Sequence, residues 1–527
     1  MFSGCLSITS LNISNFGTYN VTNMGNMFAY CSSLKYINLS SFETDSVENM
    51  EFMFSNCKSL DYLDIYSFNT QNVSNMRNMF ESCIKLTSIK FNENNFTTSK
   101  AIHMEYMFSN CKELENLNVS TFETPLVNNM RNMFESCKKL EIIEPTLFDT
   151  SQVTDMQNMF CNCRELKELN ISNFRTELVI NMKSMFELCP KLKLLDISNF
   201  DTSKVTNMEN MFGNCQSLTD LDISHFSGVF VKTTKRMFEF CSKLTSINLY
   251  HFDASEVIDM SYMFYECRDL IYIDLSSFKT EGVEDLSSMF RGCESITSIN
   301  TYNFDTSYVI NMNSMFYDCF SLKSLDLIKF STSNVRDMEK MFYNCNSLTS
   351  LIMTNFDTHN TIKMNSMFYG CSSLTSLELR MFDTSLIKDM QYMFANCNSL
   401  INLNLSSFNI SQVINMDYMF YGCSSIKELT IDHFSTKKIE NMKHMFHGCS
   451  KLTYLNLSNF YTTLVSDMEF LFAECSSLSS LNISNFDTKL VNNMASMFSG
   501  CSKLEKLEIN HFNTGNVINM NSMFKQC

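Results

Sequence analysis

The chain has 527 residues, of which 45% are hydrophobic and 18% are charged, and its formal net charge is -16 at pH 7. This hydrophobic fraction argues against a disordered chain, and the acidic balance argues against a nucleic-acid groove, because binding phosphates requires clustered Lys and Arg. No run of about 18 apolar residues occurs, so we expect no membrane-spanning segment.

A cysteine returns every 26 residues from Cys5 to Cys527. The interval is 28 residues only between Cys83 and Cys111, where the segment 91–95 carries an insertion. Self-similarity at this period is typical of a solenoid, in which each unit packs on its neighbours. We therefore predict one continuous repeat domain over residues 1–527, with about twenty turns. Both ends lie inside a repeat without a polar cap, which predicts a fragment of a longer protein.

Each repeat begins with apolar residues at steps of three, one, three and three, as at Met208, Met211, Phe212, Cys215 and Leu218. This spacing predicts a short helix with one buried face. An Asn or Asp precedes the run and is expected to cap the first free backbone N–H groups. Examples of this residue are Asn49, Asp155, Asn207, Asp259 and Asn311.

An alternation of apolar and polar residues follows, as from Leu221 to Ser224, and predicts a short strand with one buried side. A phenylalanine and a polar triplet then form a corner, with Gly228 replacing the usual threonine after Phe226. The predicted fold class is α/β. It is a leucine-rich-repeat-like, right-handed solenoid with one short parallel strand and one short helix per turn, and its strands line a concave side.

The phenylalanine of the Met-Phe pair recurs in every unit, from Phe2 to Phe524. We predict that these rings stack in a continuous apolar column. Methionine is flexible and fills gaps between rings, so the 40 methionines need no metal or redox role.

The recurring cysteines fall on the predicted inward face and are interpreted as buried thiols. Disulfides between successive turns are disfavoured because translation-related side chains point the same way. Structural zinc is disfavoured because the one short pair, Cys161 and Cys163, has no second pair nearby. Cys161 lies outside the column and is predicted to face outward. An incidental surface cysteine is the favoured reading, with oxidation or an intermolecular bridge as the alternative.

Four histidines, His225, His251, His433 and His511, immediately precede a corner phenylalanine. We interpret them as turn caps, although the first two could share an ion. His444 and His447 lie three residues apart, but no carboxylate completes a metal site. The sequence has no glycine-rich phosphate loop, HExxH motif or nucleophile elbow. We therefore expect no enzyme activity, catalytic residue, cofactor or metal.

Candidate binding residues lie on the predicted strands. A column of Asn and Asp, including Asn12, Asp64 and Asp222, is interpreted as scaffold. The more variable position two residues earlier is the better candidate for partner contacts. It includes Tyr36, Tyr62, Tyr272 and Tyr454.

Two segments break the rhythm of the repeat. The segment 226–236 loses its methionine and gains Lys232, Lys235 and Arg236, which predicts a positive spot for a partner. Pro145, next to Glu144, interrupts another strand. Tolerated drift explains both irregularities equally well.

The pattern Phe-Asp-Thr-Ser-x-Val-x-Asn-Met-x-x-Met-Phe-x-x-Cys-x-Ser-Leu occurs at Phe200–Leu218 and, less strictly, at Phe486–Leu504. Together with the strand pattern Leu-x-x-Leu-x-Leu/Ile, it resembles BspA-type leucine-rich repeat surface proteins, including mycoplasma-type arrays. The resemblance covers essentially the whole chain. It implies a protein that microbes display or secrete, with a protein or cell-surface ligand such as a host matrix protein.

The leading hypothesis is a nonenzymatic adhesion or recognition protein, at the cell surface or outside the cell, that binds through its concave sheet. The alternatives are an intracellular protein-interaction scaffold and a structural surface filament. Asn-Ile-Ser and Asn-Leu-Ser sequons arise from the strand pattern, and they could be glycosylated only in a eukaryotic secretory route.

Overall fold

The computed structural model describes residues 1–527, which form two compact units, Met1–Val257 and Ile258–Cys527. Both units are parallel β-solenoids in which the chain returns to an equivalent position every 26 residues. The predicted repeat architecture is therefore confirmed within each unit, while a single continuous domain over residues 1–527 stays a prediction. The secondary structure differs from the prediction.

The strands are two or three residues long and pair in parallel, two at a time, with residues one period apart opposite each other. In the first unit they are β1 (Ser10–Asn12), β2 (Tyr36–Asn38), β3 (Tyr62–Asp64), β4 (Ser88–Lys90), β5 (Ile142–Ile143) and β6 (Glu168–Leu169). In the second unit they are β7 (Tyr272–Asp274), β8 (Ser298–Asn300), β9 (Ser324–Asp326), β10 (Ser350–Ile352), β11 (Ser376–Leu377), β12 (Asn402–Leu403), β13 (Tyr454–Asn456) and β14 (Ser480–Asn482).

The strand predicted from Leu221 to Ser224 does not form, and residues 170–271 contain no strand at all. Leu221 and Ile223 are nevertheless only 4% and 0% exposed. The alternation of apolar residues therefore predicted their burial correctly. It did not predict strand pairing, because a residue can be buried without its backbone bonding to a neighbouring strand.

The predicted helix in each turn is wrong, because the segment Met208–Cys215 and its equivalents form successive tight turns. The N–H of Met211 donates to the carbonyl of Met208, three residues back, at 3.1 Å. The N–H of Phe212 instead donates to the carbonyl of Met237 in the next turn, at 2.9 Å. Backbone N–H groups therefore bond alternately to a carbonyl in the same turn and to one in the next turn. In an α-helix, each N–H would instead bond the carbonyl four residues back in the same segment.

Positive φ angles explain why these segments cannot be helical. Asn210 has φ of 55° and Asn214 has φ of 62°, and the equivalent residues before methionine and before cysteine behave alike along the chain. A left-handed residue ends an α-helix. Gly, Asn and Ser occupy many of these positions, and Gly and Asn are the residues that adopt such angles most readily.

The Asn or Asp predicted to cap the run does bond a free backbone N–H, but it opens a turn. The Oδ1 atom of Asn207 accepts the N–H of Glu209 at 2.9 Å. Asn49, Asp155, Asp259 and Asn311 do the same. These residues also form parallel bridges between consecutive turns, such as Asn181 to Asn207.

Two phenylalanine columns form the core. In the Met-Phe column, the rings of Phe212 and Phe238 lie 5.6 Å apart at 4°. In the corner column, Phe148 and Phe174 lie 6.4 Å apart at 6°. The methionines flanking the first column are buried. The predicted apolar column is confirmed.

Apart from Cys5 and Cys527 at the two ends of the column, the recurring cysteines are buried free thiols, as predicted. The Sγ atom of Cys215 donates to the carbonyl of Phe186 in the preceding turn at 3.1 Å, and this contact recurs along the column. Burial raises the pKa of the Cys215 thiol. The column therefore fills space between the phenylalanines and satisfies a carbonyl in each turn.

A threonine hydroxyl links most corners to the next. Oγ1 of Thr176 donates to the carbonyl of Asp201 at 2.9 Å and accepts the N–H of Asp201 at 2.7 Å. Gly228 breaks this column because a Cβ atom there would lie 2.2 Å from the carbonyl oxygen of Asp253. Glycine is thus required where the next corner approaches most closely.

The two-residue insertion is accommodated in an exposed turn. The N–H groups of Asn95 and Phe96 both donate to the carbonyl of Asn92, at 3.0 and 2.8 Å. Phe96 still enters the corner column, with its ring 5.7 Å from that of Phe122. The insertion therefore keeps Phe96 in the core, where Phe91 stacks on it at 5.0 Å.

Candidate functional site: the strand face

The strand face consists of the side chains that point outward from the strands. In β2 the Tyr36 side chain is 61% exposed while Ile37 is 5% exposed. The same alternation in β3 leaves Tyr62 exposed at 44% above the buried Leu63. The period of the strand therefore aligns the variable residues of neighbouring turns on one outer surface.

Tyr36 and Tyr62 both lie on this surface, where they line a cavity of about 410 Å³ together with Tyr66, Asp64 and Lys90. Tyr66 is 53% exposed. Three tyrosines and a lysine on consecutive turns form a surface that is apolar on the rings and polar at the tips, as is common in recognition sites. We call this cluster the tyrosine patch.

A charge pair holds the lysine of the tyrosine patch in place. Nζ of Lys90 lies 3.0 Å from Oδ2 of Asp64 and 5.2 Å from the centre of the Tyr66 ring. The hydrogen bond that Lys90 donates to Asp64 raises the pKa of Lys90. The ammonium is thus positioned over an aromatic ring, where it remains open to solvent.

The other two candidate tyrosines lie in the second unit and belong to separate strands. Tyr272 in β7 is 44% exposed, and Tyr454 in β13 is 52% exposed. Hydrogen bonds from Ser276 and, to a smaller extent, Tyr272 lower the pKa of Asp274. The structure thus brings together Tyr36 and Tyr62 and leaves Tyr272 and Tyr454 apart.

The Asn and Asp side chains of the strand face accept hydrogen bonds from the backbone two residues later. The Oδ1 atom of Asn12 accepts the N–H of Ser14 at 3.2 Å, and that of Asp222 accepts the N–H of Ser224 at 2.9 Å. Equivalent bonds are made by Asn38, Asp64, Asn170, Asp196, Asn248, Asp274, Asn300, Asp326, Asn404, Asn456 and Asn482. These bonds confirm the scaffold interpretation.

Two of the three basic residues of the irregular segment lie close to acidic partners. Lys232 pairs with Glu256, and the guanidinium of Arg236 lies 3.8 Å from Glu239. The N–H of Lys235 donates to Oγ1 of Thr233 at 3.2 Å. These carboxylates offset part of the positive charge predicted for this spot.

A groove near Pro145 went unrecognised in the sequence. It has a volume of about 590 Å³ and is lined by Ile142, Leu194 and Lys167, among others. Ile142 is 47% exposed and Leu194 is 72% exposed. Lys167 donates to Glu141 in the preceding turn at 2.8 Å. The signal for this groove was an apolar residue at the variable strand position.

The histidines before the corner phenylalanines act as caps. Because a carbonyl only accepts, the Nε2 atom of His225 donates to Ile197, at 3.0 Å. His433 and His511 make the equivalent bond. His251 instead packs its ring edge-on against Tyr250 at 4.9 Å. The capping interpretation is confirmed for the three that bond a carbonyl.

His444 and His447 lie in a turn segment and face each other, with their Nδ1 atoms 3.0 Å apart. Burial lowers the pKa of His444 to about 4 and also lowers the pKa of His447. The pair is therefore uncharged near neutral pH.

Aromatic columns on the turn segments of the second unit were missed. Tyr317, Tyr343 and Tyr369 stack at 4.5 and 4.3 Å. A second column contains Tyr392, Tyr418, His444 and Phe470, at 4.6, 4.5 and 4.7 Å. The recurring Met-Phe-Tyr triplet was the available signal for the first column. Their rings stack along the solenoid, so the columns contribute to packing between turns.

Cys161 is partly buried rather than fully outward-facing. Burial, together with the nearby Glu187 and Cys189, raises the pKa of its thiol. Because the thiolate is the reactive form, this environment disfavours oxidation and supports the incidental reading.

The repeat as a whole matches one protein family. Overlapping matches to DUF285, described as Mycoplasma protein of unknown function, cover residues 1–116, 64–165, 85–193, 141–247, 163–271, 232–348, 260–377, 318–433 and 415–527. The chain belongs to the DUF285 family. The predicted resemblance to mycoplasma-type arrays is confirmed. No protein with a curated description has a matching sequence.

Several solved leucine-rich repeat proteins are similar to this DUF285 chain. One from Bacteroides ovatus is 18% identical, covers 70% of this chain and 87% of its own, and has a TM-score of 0.34. One from Eubacterium ventriosum is 14% identical, with 76% and 85% coverage and a TM-score of 0.30. A leucine-rich cell surface protein from Faecalibacterium prausnitzii is 15% identical, with 81% and 83% coverage and a TM-score of 0.21.

Helices long and apolar enough to cross a bilayer are not found in the structure.

Proposed function

We propose that this DUF285 protein is a nonenzymatic recognition protein that binds another protein through its strand face. The tyrosine patch carries the proposal. It places Tyr36, Tyr62 and Tyr66 beside Lys90 on a rigid scaffold, and all three rings are exposed. Tyrosines supply large contact areas at low entropic cost, which suits a binding surface.

The scaffold supports binding because it is already ordered. The Asn and Asp side chains fix the backbone after each strand, so the patch needs little rearrangement when a partner arrives. The proposed partner is a protein or cell-surface ligand, with a host matrix protein as the first choice. The proposed location is the microbial surface or the extracellular space.

Binding of purified matrix proteins to the immobilised chain tests the proposal. Tyr36→Ser with Tyr62→Ser should weaken a detected interaction by about tenfold or more, since buried interface tyrosines often contribute over 1 kcal/mol each. Tyr19→Ser is the matched control, because Tyr19 is 64% exposed but lies outside the patch. Equal affinities of the double variant and the wild type would reject the patch as the contact site.

An intracellular protein-interaction scaffold is the second candidate. The buried cysteines are all free thiols, which suits a reducing compartment. Protease treatment of intact cells distinguishes the two locations. Loss of the tagged protein from protease-treated, unbroken cells would support surface display, whereas full protection until lysis would support the scaffold.

A further inference from the structure

One outward column in the second unit alternates between isoleucine and a charged residue. It occupies the position immediately after the inward valine, or its equivalent, in each turn. The column contains Ile258, Glu284, Ile310, Arg336, Ile362, Lys388, Ile414 and Glu440. We call these residues the isoleucine stripe. It lies outside the strand face, on the segment between the threonine corner and the turns.

The isoleucine stripe is open to solvent and has no internal partners for its charges. Ile258, Ile310 and Ile362 are 47%, 42% and 51% exposed, and Ile414 is half-buried. The four charged residues are exposed and make no ion pair. Single exposed apolar residues are ordinary on protein surfaces, but an aligned series is typical of a contact surface.

The spacing of the stripe is set by backbone bonds between turns. Ile310 donates its N–H to the carbonyl of Glu284, and Arg336 donates to that of Ile310, both at 2.8 Å. Every step except that from Ile362 to Lys388 has such a bond. Parallel backbones bonded in this way lie about 4.8 Å apart, so consecutive isoleucines are about 9.6 Å apart.

This spacing selects among extended and helical ligands. A polyproline II helix presents a residue on the same side every three residues, or about 9.3 Å. An α-helix does so every seven residues, at about 10.5 Å, and drifts by about 3 Å over three intervals. A strand presents residues about 6.7 Å apart. Only the first of these stays aligned with four isoleucines.

We propose that the isoleucine stripe binds a polyproline II segment that has an apolar residue at every third position and carboxylates opposite Arg336 and Lys388. The two cations lie in the second and third of the three intervals between isoleucines, which defines where the acidic residues of the ligand belong. Tyr308 and Leu386 are 65% and 47% exposed beside the stripe and widen the contact. Aromatic side chains are a common platform for proline-rich segments. This site is independent of the tyrosine patch.

Fluorescence anisotropy with a labelled peptide, Leu-Pro-Pro-Leu-Pro-Glu-Leu-Glu-Pro-Leu-Pro-Pro, tests the proposal on the full chain. The same residues, reordered so that leucine no longer recurs every third position, should bind at least about tenfold more weakly. Ile310→Ser with Ile362→Ser should also weaken binding by about tenfold. Ile102→Ser with Ile180→Ser is the matched control, because these isoleucines hold the same position in the first unit at 38% and 48% exposure.

Reversing the charges of the two cations is the second test of the proposal. Arg336→Glu with Lys388→Glu should abolish binding of the glutamate peptide and create binding of a peptide in which lysine replaces both glutamates. Circular dichroism checks that each variant remains folded. Equal binding of the ordered and reordered peptides, or no binding at millimolar peptide, would overturn the proposal. So would concentration-dependent dimerisation of the free protein that the isoleucine variants abolish, since a second copy would then cover the stripe.

Discussion

The turn segments and the strand segments of this protein are bonded to different extents. Between Met182 and Met237 the turn segments are linked by a regular series of backbone bonds, while residues 170–271 contain no strand. In the second unit, both kinds of segment are linked, although the strands pair only two at a time. The comparison indicates that the turns hold successive repeats together and that strand pairing adds to an already connected stack.

The composition of the two segments explains the difference. Each turn segment inserts a phenylalanine, a cysteine and two methionines into the core, and its N–H groups bond alternately within the turn and to the next one. Each strand segment contributes few buried residues and exposes its alternate side chains. Variation on the strand face therefore disturbs the stack less, which suits a surface that changes with its partner.

The largest expected effect is loss of a ring from the Met-Phe column. Phe212→Ala should destabilise the first unit by about 3–5 kcal/mol, since it removes a fully buried ring and leaves a cavity. Denaturant unfolding followed by hydrogen exchange at neighbouring amides measures the cost. Phe230→Ala is the control, because that ring is 55% exposed. Similar losses for both variants would contradict the dominant role of the turn segments.

Removal of a corner hydroxyl should have the next largest effect. Thr176→Val keeps the shape of the side chain but leaves the N–H and carbonyl of Asp201 without their bonds to Oγ1. We expect a cost of about 1–3 kcal/mol, measured by denaturant unfolding. Thr22→Val, at an exposed position, should change stability little. A negligible change in the Thr176 variant would show that the hydroxyl column does not contribute.

Proline substitution compares bonded and unbonded strand segments directly. The N–H of Thr349 donates to the carbonyl of Lys323 at 3.0 Å, whereas Thr219 at the matching position makes no such bond. Thr349→Pro should therefore be more destabilising than Thr219→Pro, by about 1 kcal/mol. Thermal unfolding of the two variants gives the difference. The reverse order would mean that the unpaired segments are the more constrained ones.

The smallest expected effects are pH-dependent and arise in the turn segments. Burial raises the pKa of Asp417 to about 6. A raised carboxyl pKa means that the folded state holds its proton more tightly, so this contribution to stability is lost as pH rises from about 4 through 6. Asp417→Asn should remove this loss and raise Tm at pH 7, because an amide can still accept the N–H of Lys443.

The lowered pKa of His444 gives the opposite dependence of stability on pH. Its lowered pKa, about 4, means that stability falls as pH drops from about 6.5 towards 4. Both effects fall between about pH 4 and 6.5, so His444→Phe should raise Tm at pH 4 relative to pH 7, whereas Asp417→Asn should raise Tm at pH 7 relative to pH 4. Identical profiles for the wild type and both variants would indicate that neither group is buried in solution.

Much of the architecture could be predicted because equivalent residues recur every 26 positions in the sequence. The columns of Phe212 and Cys215 and the scaffold role of Asp222 followed from residue type and spacing. The helix was wrong because steps of three, one, three and three suit consecutive tight turns as well as a helix. The recurring asparagines, such as Asn210 and Asn214, carried the signal that distinguishes the two. The right-handed course of the solenoid stays a prediction.

The candidate site was less predictable than the core. The exposure of Tyr36 and Tyr62 followed from strand alternation, but their closeness to Lys90 required the actual register of β3 and β4. The groove beside Leu194 depended on how far neighbouring backbones separate, which side-chain patterns do not encode. Contacts between adjacent turns are predictable where residues repeat, and much less so where they vary.

The exposed turn at Asn92 shows which changes in length the protein tolerates. Two extra residues were absorbed there without moving Phe96 out of its column. Most interior turns bond the turns before and after them at equivalent positions, so loss or duplication of 26 residues would rejoin matching surfaces. Unequal recombination between repeats can therefore shorten or lengthen the molecule in whole turns, and relatives should differ mainly by such multiples.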